Sequence, residues 1–201
     1  MRYLDFLQEF RDFNVISYQN IRNVFGSVNV SQLSNWKKEK KIISVKKGYY
    51  LINNIKRDEL LLANEINYSY ISLEYALSYY QIIPDIAQVI TSVSKSRNEK
   101  ITNECGNFQY RKISRNLFTG FVLSPSIVKE GRFIRIAEPE KALFDLIYFR
   151  TDLKDNDDFS SLRLNLENIK IKKVEEYLSL VKAPQIKKRI SNFIKYLHDT
   201  I

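Results

Sequence analysis

Six lysines fall within eleven residues, Lys37, Lys38, Lys40, Lys41, Lys46 and Lys47, directly after a polar run containing Ser31, Gln32, Ser34 and Asn35. Lysines in such a cluster can neutralise phosphates, which supplies affinity for nucleic acid without sequence information. Asn and Gln amides can pair bidentately with adenine, and Ser can donate or accept at a base edge. A lysine run alone is more often a solvated helix face. A second constellation is Glu138-Pro139-Glu140-Lys141 with Asp145, in which Lys141 and Asp145 stand i, i+4 and read as an ion pair on the rim of a largely apolar helix. Ser72 could be taken for a nucleophile. With no His or Lys base near it, it reads instead as a helix N-cap, with Glu74 complementing the dipole of the first turn.

Other chemistry finds little footing. The five glycines are too scattered for a phosphate-binding loop, and Gly26-Ser27 is followed by lysines rather than the paired aspartates of a nucleotidyltransferase. Pro84-Asp85 has no Glu-x-Lys after it, which argues against a Mg²⁺ nuclease. The acidic stretch Asp152–Asp158 lacks the Gly and terminal Glu of a calcium loop, and Asp152 to Ser161 reads as a mobile acidic loop. One cysteine, Cys105, and one histidine, His198, leave no material for a disulfide or a zinc site. No cofactor is expected, and catalysis is disfavoured.

The elements that must carry the basic residues can be read from apolar spacing. Tyr3, Leu4, Leu7 and Phe10 suggest a first amphipathic helix. Ile21, Val24 and Phe25 give a second, ended by Gly26, and a third starts at Ser31 with Leu33 and Trp36 inward. Ile42–Val45 and Tyr49–Ile52 read as a hairpin turning at Lys46-Lys47-Gly48, with Gly48 supplying the positive φ. Helix, turn, basic helix and two-stranded wing describe a winged helix-turn-helix over residues 1–56. Ser31, Gln32, Ser34 and Asn35 would then read bases. Lys37, Lys38, Lys40, Lys41, Lys46 and Lys47 would hold phosphates, with Tyr49 beside the wing turn.

Residues 57–201 read as a second, α+β domain: helices near 58–68, 73–80 and 139–149, four short strands between 88 and 137, and two C-terminal helices, 174–181 and 184–198. Turns are expected at Asn116, Ser124-Pro125 and Glu130-Gly131. Charge divides the same way. Residues 1–56 hold 10 Lys/Arg against 4 Asp/Glu, residues 57–167 hold 14 against 16, and residues 168–201 hold 8 against 3, which together give the net +9. The basic ends suit an anionic partner, and the near-neutral middle suits a protein or effector. No signal-peptide pattern and no membrane-length apolar run is present, so a cytoplasmic protein is expected. The abundance of Tyr, Asn, Ile and Lys suggests an A·T-rich genome.

The order of parts resembles the AbiEi family, the antitoxins and autorepressors of type IV abortive-infection systems. The resemblance spans roughly residues 5–150. It is carried by the K-x-G-Y-Y-L hairpin, by Tyr70-Ile71-Ser72-Leu73-Glu74-Tyr75-Ala76-Leu77, and by Ile136-Ala137-Glu138-Pro139-Glu140-Lys141-Ala142-Leu143-Phe144-Asp145. One departure is Lys38-Glu39-Lys40-Lys41-Ile42, which lacks the glycine that related sequences often carry there. The resemblance implies an N-terminal domain bound to inverted repeats in double-stranded DNA of its own promoter. It also implies a C-terminal domain that counters a nucleotidyltransferase toxin without a stable complex. Two alternatives are a winged-helix regulator whose second domain senses a ligand or protein, with no toxin partner, and a nuclease acting on the bound DNA.

Overall fold

The computed structural model describes residues 1–200 and opens with α1 (Tyr3–Phe10), which turns Phe6 and Phe10 inward. Of the expected stripe, Phe10 is buried and Tyr3 and Leu7 pack against the same cluster, but Leu4 is 74% exposed and Phe6 lies in the core instead. β1 (Ile16–Ser17) runs straight into α2 (Tyr18–Phe25). Ser17 Oγ accepts from the Asn20 amide while the Asn20 side chain accepts from the Ser17 amide, a reciprocal cap. Ile21 is buried in the core, whereas Val24, also expected there, is 45% exposed.

α3 (Val30–Lys38) begins one residue before Ser31 because Asn29 caps it, accepting from Gln32 N. It ends at Lys38, so Lys40 and Lys41 are not on its surface as expected. Lys40 takes φ +54, with Lys40 N donating to Lys37 O and Lys41 N to Trp36 O. This is the Schellman arrangement, and here a lysine occupies the left-handed position usually given to glycine. β2 (Ile42–Lys46) and β3 (Tyr49–Ile52) form the hairpin, with Gly48 at φ +80, and β1 joins them in a sheet ordered β1-β3-β2.

The hairpin links two apolar clusters through strand alternation. Ile42, Tyr50 and Ile52 pack with Phe6, Phe10, Ile21, Leu33 and Trp36, while Ile43, Val45 and Leu51 belong to the larger cluster formed by the rest of the chain. Asn14 exchanges two hydrogen bonds with the Asp58 backbone, and Asp58 in turn caps α4 (Glu59–Ile66). The expected division at residue 56/57 falls in the short segment between β3 and α4.

After α4 come β4 (Ser69–Ile71), α5 (Leu73–Tyr79), β5 (Ile90–Ser94), β6 (Glu99–Asn103) and β7 (Gly106–Lys112). β8 (Phe121–Pro125), β9 (Phe133–Ala137), α6 (Pro139–Phe149), α7 (Asn156–Ser161), α8 (Ile171–Ser179) and α9 (Pro184–Thr200) complete the chain. Six strands form one mixed sheet ordered β6-β7-β5-β4-β9-β8, with β4/β9 and β5/β7 parallel. Tyr110 and Ser92 face α4, where Tyr110 Oη donates to Ala63 O. Tyr70 and Val93 point the opposite way, toward α6. α6 packs against α5, α8 and α9.

Two expectations fail here. Ser124 and Pro125 lie in β8, paired with Ile134 and Phe133, rather than in a turn; a proline is tolerated because β8 is an edge strand. The acidic stretch is not wholly a loop: Asp155 and Asp158 cap α7 reciprocally, and Phe159 anchors it against Phe193 and Tyr196.

Candidate functional site

The exposed face of α3 is built by Leu33 and Trp36, which fix the helix against the first cluster and leave the opposite side to solvent. Ser31, Asn35 and Lys38 stand at i, i+4 and i+7 and so share one stripe; all three are exposed, with Lys37 exposed beside them and Ser34 half-buried. Lys37, Lys38, Lys40 and Lys47 are exposed and make no ion pair among the described residues. A stripe of one hydroxyl, one amide and uncompensated ammonium groups can donate to phosphates and to base edges. Val30, in the first turn of α3 and 60% exposed, extends this face with an apolar group. Recognising Asn29 as the cap would have placed it there from sequence.

Three residues expected to contact DNA from α3 or the hairpin are occupied elsewhere. Gln32 Nε2 donates to Met1 O at 2.7 Å. Lys41 Nζ pairs with Glu39 at 2.7 Å and sits over the Tyr3 ring. Lys46 Nζ lies 3.3 Å from Glu99 on β6 and 5.0 Å from the centre of the half-buried Tyr49 ring. The hairpin tip is further tied down by Tyr18 N donating to Gly48 O and Asn103 Nδ2 donating to Val45 O. Lys47 is the free cation that the tip presents.

The second constellation lies inside the protein. Lys141 and Asp145 are both 0% exposed, against the expectation of a rim pair. Asp145 Oδ1 accepts from Lys141, while Oδ2 accepts from Tyr70 Oη at 2.9 Å and from Ser72 Oγ at 2.7 Å. Ser72 occupies the N-cap position of α5 but makes no capping bond there: its hydroxyl donates to Asp145, and the Tyr75 amide in the first turn donates to Thr91 Oγ1 instead. Lys141 Nζ is enclosed by the rings of Phe144, Tyr70 and Tyr177, 4.9 to 5.6 Å away. Burial raises the Asp145 carboxyl, opposed by Lys141, and lowers the Lys141 ammonium, opposed by Asp145. Burial also pushes the Tyr70 phenol well up, and the Asp145 charge adds to it.

With every member enclosed, this cluster reaches no ligand; it bolts α6 to β4 and to the start of α5. Glu138 and Glu140 hold α8 to the same place. Glu138 Oε2 accepts from Lys173 Nζ at 2.9 Å, and Glu140 Oε1 accepts from Lys170 N at 3.1 Å. Pro139 opens α6 at a position that needs no amide donor. Glu74 differs from these neighbours: its side chain is 42% exposed, with Arg150 3.9 Å away.

Comparison with protein-family models and with curated proteins gives no match for this chain. Among the described residues no helix is long and apolar enough to cross a membrane. Nor is any group of three His, Cys, Asp or Glu side chains among them placed to hold a metal ion.

Proposed function

We propose that the chain binds double-stranded DNA through residues 1–56 acting as a winged helix-turn-helix, with α2 and α3 as the paired helices and the β2–β3 hairpin as the wing. The observation that carries this reading is the α3 stripe of Ser31, Asn35 and Lys38. It is exposed and flanked by Lys37, Lys40 and Lys47, none of them neutralised by an acid among the described residues. In this reading Ser31 and Asn35 contact bases, and the four free lysines contact phosphates. Lys41 and Lys46 stabilise the fold instead, and Gln32 holds the chain start.

The biological role we propose is that of a cytoplasmic autorepressor and antitoxin of a type IV toxin–antitoxin system. It would bind inverted repeats in its own promoter and counter a nucleotidyltransferase toxin through residues 57–201, acting by binding and not by catalysis. Support for the antitoxin half is the resemblance of residues 70–77 and 136–145 to the AbiEi family. The enclosed Lys141–Asp145 cluster gives those two stretches a shared structural purpose.

A reporter driven by the chain's own upstream region tests the repressor half. Repression by the native chain, relieved in the Ser31→Ala/Asn35→Ala/Lys38→Ala variant at equal protein level, is the expected result. A reporter indifferent to the native chain would overturn it. Co-expression with a neighbouring nucleotidyltransferase reading frame tests the antitoxin half, since toxicity that the chain fails to relieve would remove it.

A further inference from the structure

The β7 strand carries an arginine that the fold does not use. Five arginines are half-buried: Arg57, Arg111, Arg135, Arg150 and Arg189. Four of them donate to a partner: Arg57 to Cys105, Arg135 to Ser69 O and Asn64 O, Arg150 to Asp152, and Arg189 to Ile147 O and Tyr148 O. The Arg111 side chain makes no hydrogen bond or ion pair among the described residues. Its guanidinium carries five donors, stays charged and keeps its nitrogens open to solvent, so it is available to an acceptor from outside the chain.

Arg111 lines a cleft of about 350 Å³, within the size range of small-molecule sites. The register pairs Thr91 with Gln109 and Val93 with Arg111, so Gln109 and Arg111 project from the sheet face that also bears α5 and α6. Leu73, Val89 and Phe149 supply apolar walls, and Glu74 and Arg150 stand at the rim. Arg150 is committed to Asp152 by contacts of 2.6 to 3.0 Å, which leaves Arg111 as the cation free to take a ligand. Leu73 is held at φ +58, a conformation that L-residues avoid and that recurs at ligand-binding positions.

We propose that this cleft binds a small organic oxyanion, a carboxylate or phosphomonoester on an apolar body. Arg111 takes the oxyanion in its two-donor fork, Gln109 adds an amide donor, and Phe149, Leu73 and Val89 cover the apolar part. Glu74 accepts from a hydroxyl or amine on the ligand. The site is independent of DNA binding and stands or falls separately from it.

Isothermal titration of the full chain at low salt tests it with three probes: 3-phenylpropionate, phenyl phosphate and the neutral 3-phenylpropanol. The expected result is saturable one-to-one binding of at least one acid with a Kd below ~1 mM, and binding of the neutral probe at least ~10-fold weaker. The tighter acid assigns the class, carboxylate or phosphate. Arg111→Gln should weaken that acid by ~10-fold or more, as the loss of a charge-assisted pair requires, while Arg97→Gln, an exposed arginine outside the cleft, leaves it unchanged. Ala87→Phe, a bulky group at another lining position that leaves Arg111 in the sequence, should abolish binding and provides the second variant should Arg111→Gln not fold. Absence of saturation by both acids up to ~10 mM overturns the site. So does a folded Arg111→Gln, or an Ala87→Phe, that binds like the native chain.

Discussion

Replacing Lys141 by methionine keeps an unbranched side chain, one heavy atom shorter, and removes its charge, which isolates Asp145 in the interior. In the native protein both residues are 0% exposed, and Asp145 has one ammonium and two hydroxyl donors. The Tyr70 and Ser72 hydroxyls remain in K141M, but neither neutralises the carboxylate. Removing one partner of a buried ion pair costs about 3–5 kcal/mol, because the remaining charge is uncompensated. At about 2–4 °C per kcal/mol for a chain of this size, K141M should melt about 6–20 °C below the native protein.

A pH signature accompanies the loss. Burial raises the folded-state Asp145 carboxyl, and Lys141 is the main influence holding it down. Without Lys141 the folded value climbs further. A carboxyl raised on folding contributes its full stability below the unfolded value and loses it as pH rises toward the folded value, by up to about 1.4 kcal/mol per pH unit. K141M should therefore gain stability between pH 7.5 and pH 5 relative to the native protein. Urea unfolding followed by circular dichroism at both pH values measures this. The double variant K141M/D145N, which removes both charges and keeps an acceptor for Tyr70 and Ser72, should recover most of the loss. K141M within about 1 kcal/mol of native at pH 7.5, with no added pH dependence, would refute the reasoning, since even an exposed pair can be worth that much.

Gly120→Ala should cost about 2–4 kcal/mol in the same assay. Its Cβ would come within 2.7 Å of Tyr177 Cζ and 2.9 Å of Lys141 Cγ at φ +75, so overpacking and backbone strain add. Lys40→Gly should raise stability by about 0.5 kcal/mol, because the relief of a left-handed lysine at φ +54 exceeds the entropy glycine adds to the unfolded chain. A clear loss would show that the Lys40 side chain itself stabilises the turn. In a salt series on DNA, Lys37→Ala and Lys38→Ala should each reduce the log–log slope by ~0.9, one phosphate contact apiece. Lys46→Ala should leave the slope unchanged, because Glu99 already neutralises that ammonium.

The N-terminal elements were legible because their signals are local: Gly26 and Gly48 at positive φ, apolar Leu33 and Trp36 one turn apart, and a lysine-rich turn between two short runs of β-branched, aromatic and aliphatic residues. What stayed hidden depended on partners distant in sequence. Lys46 reads as a wing-tip cation until β6 places Glu99 beside it, and β6 itself has a single apolar residue, Ile101, to announce a strand. β4 is three residues long and escapes any periodicity argument. Lys141 and Asp145 looked like a solvated i, i+4 pair, yet the sequence held a contrary sign. Apart from these two and its terminal glutamates, α6 is apolar around its whole circumference, which marks a helix buried on every side. The Arg111 cleft needed the β5/β7 register, a parallel pairing 18 residues apart that no local pattern shows.

The most direct measurement is fluorescence anisotropy of the full chain on its own upstream DNA and on an unrelated duplex of equal length, from 50 to 200 mM salt. A preference of ~10³ or more for the upstream DNA is expected, with a slope matching about four phosphate contacts from Lys37, Lys38, Lys40 and Lys47. Equal affinity for the two duplexes at every salt concentration would contradict sequence-specific autorepression and leave only a basic surface.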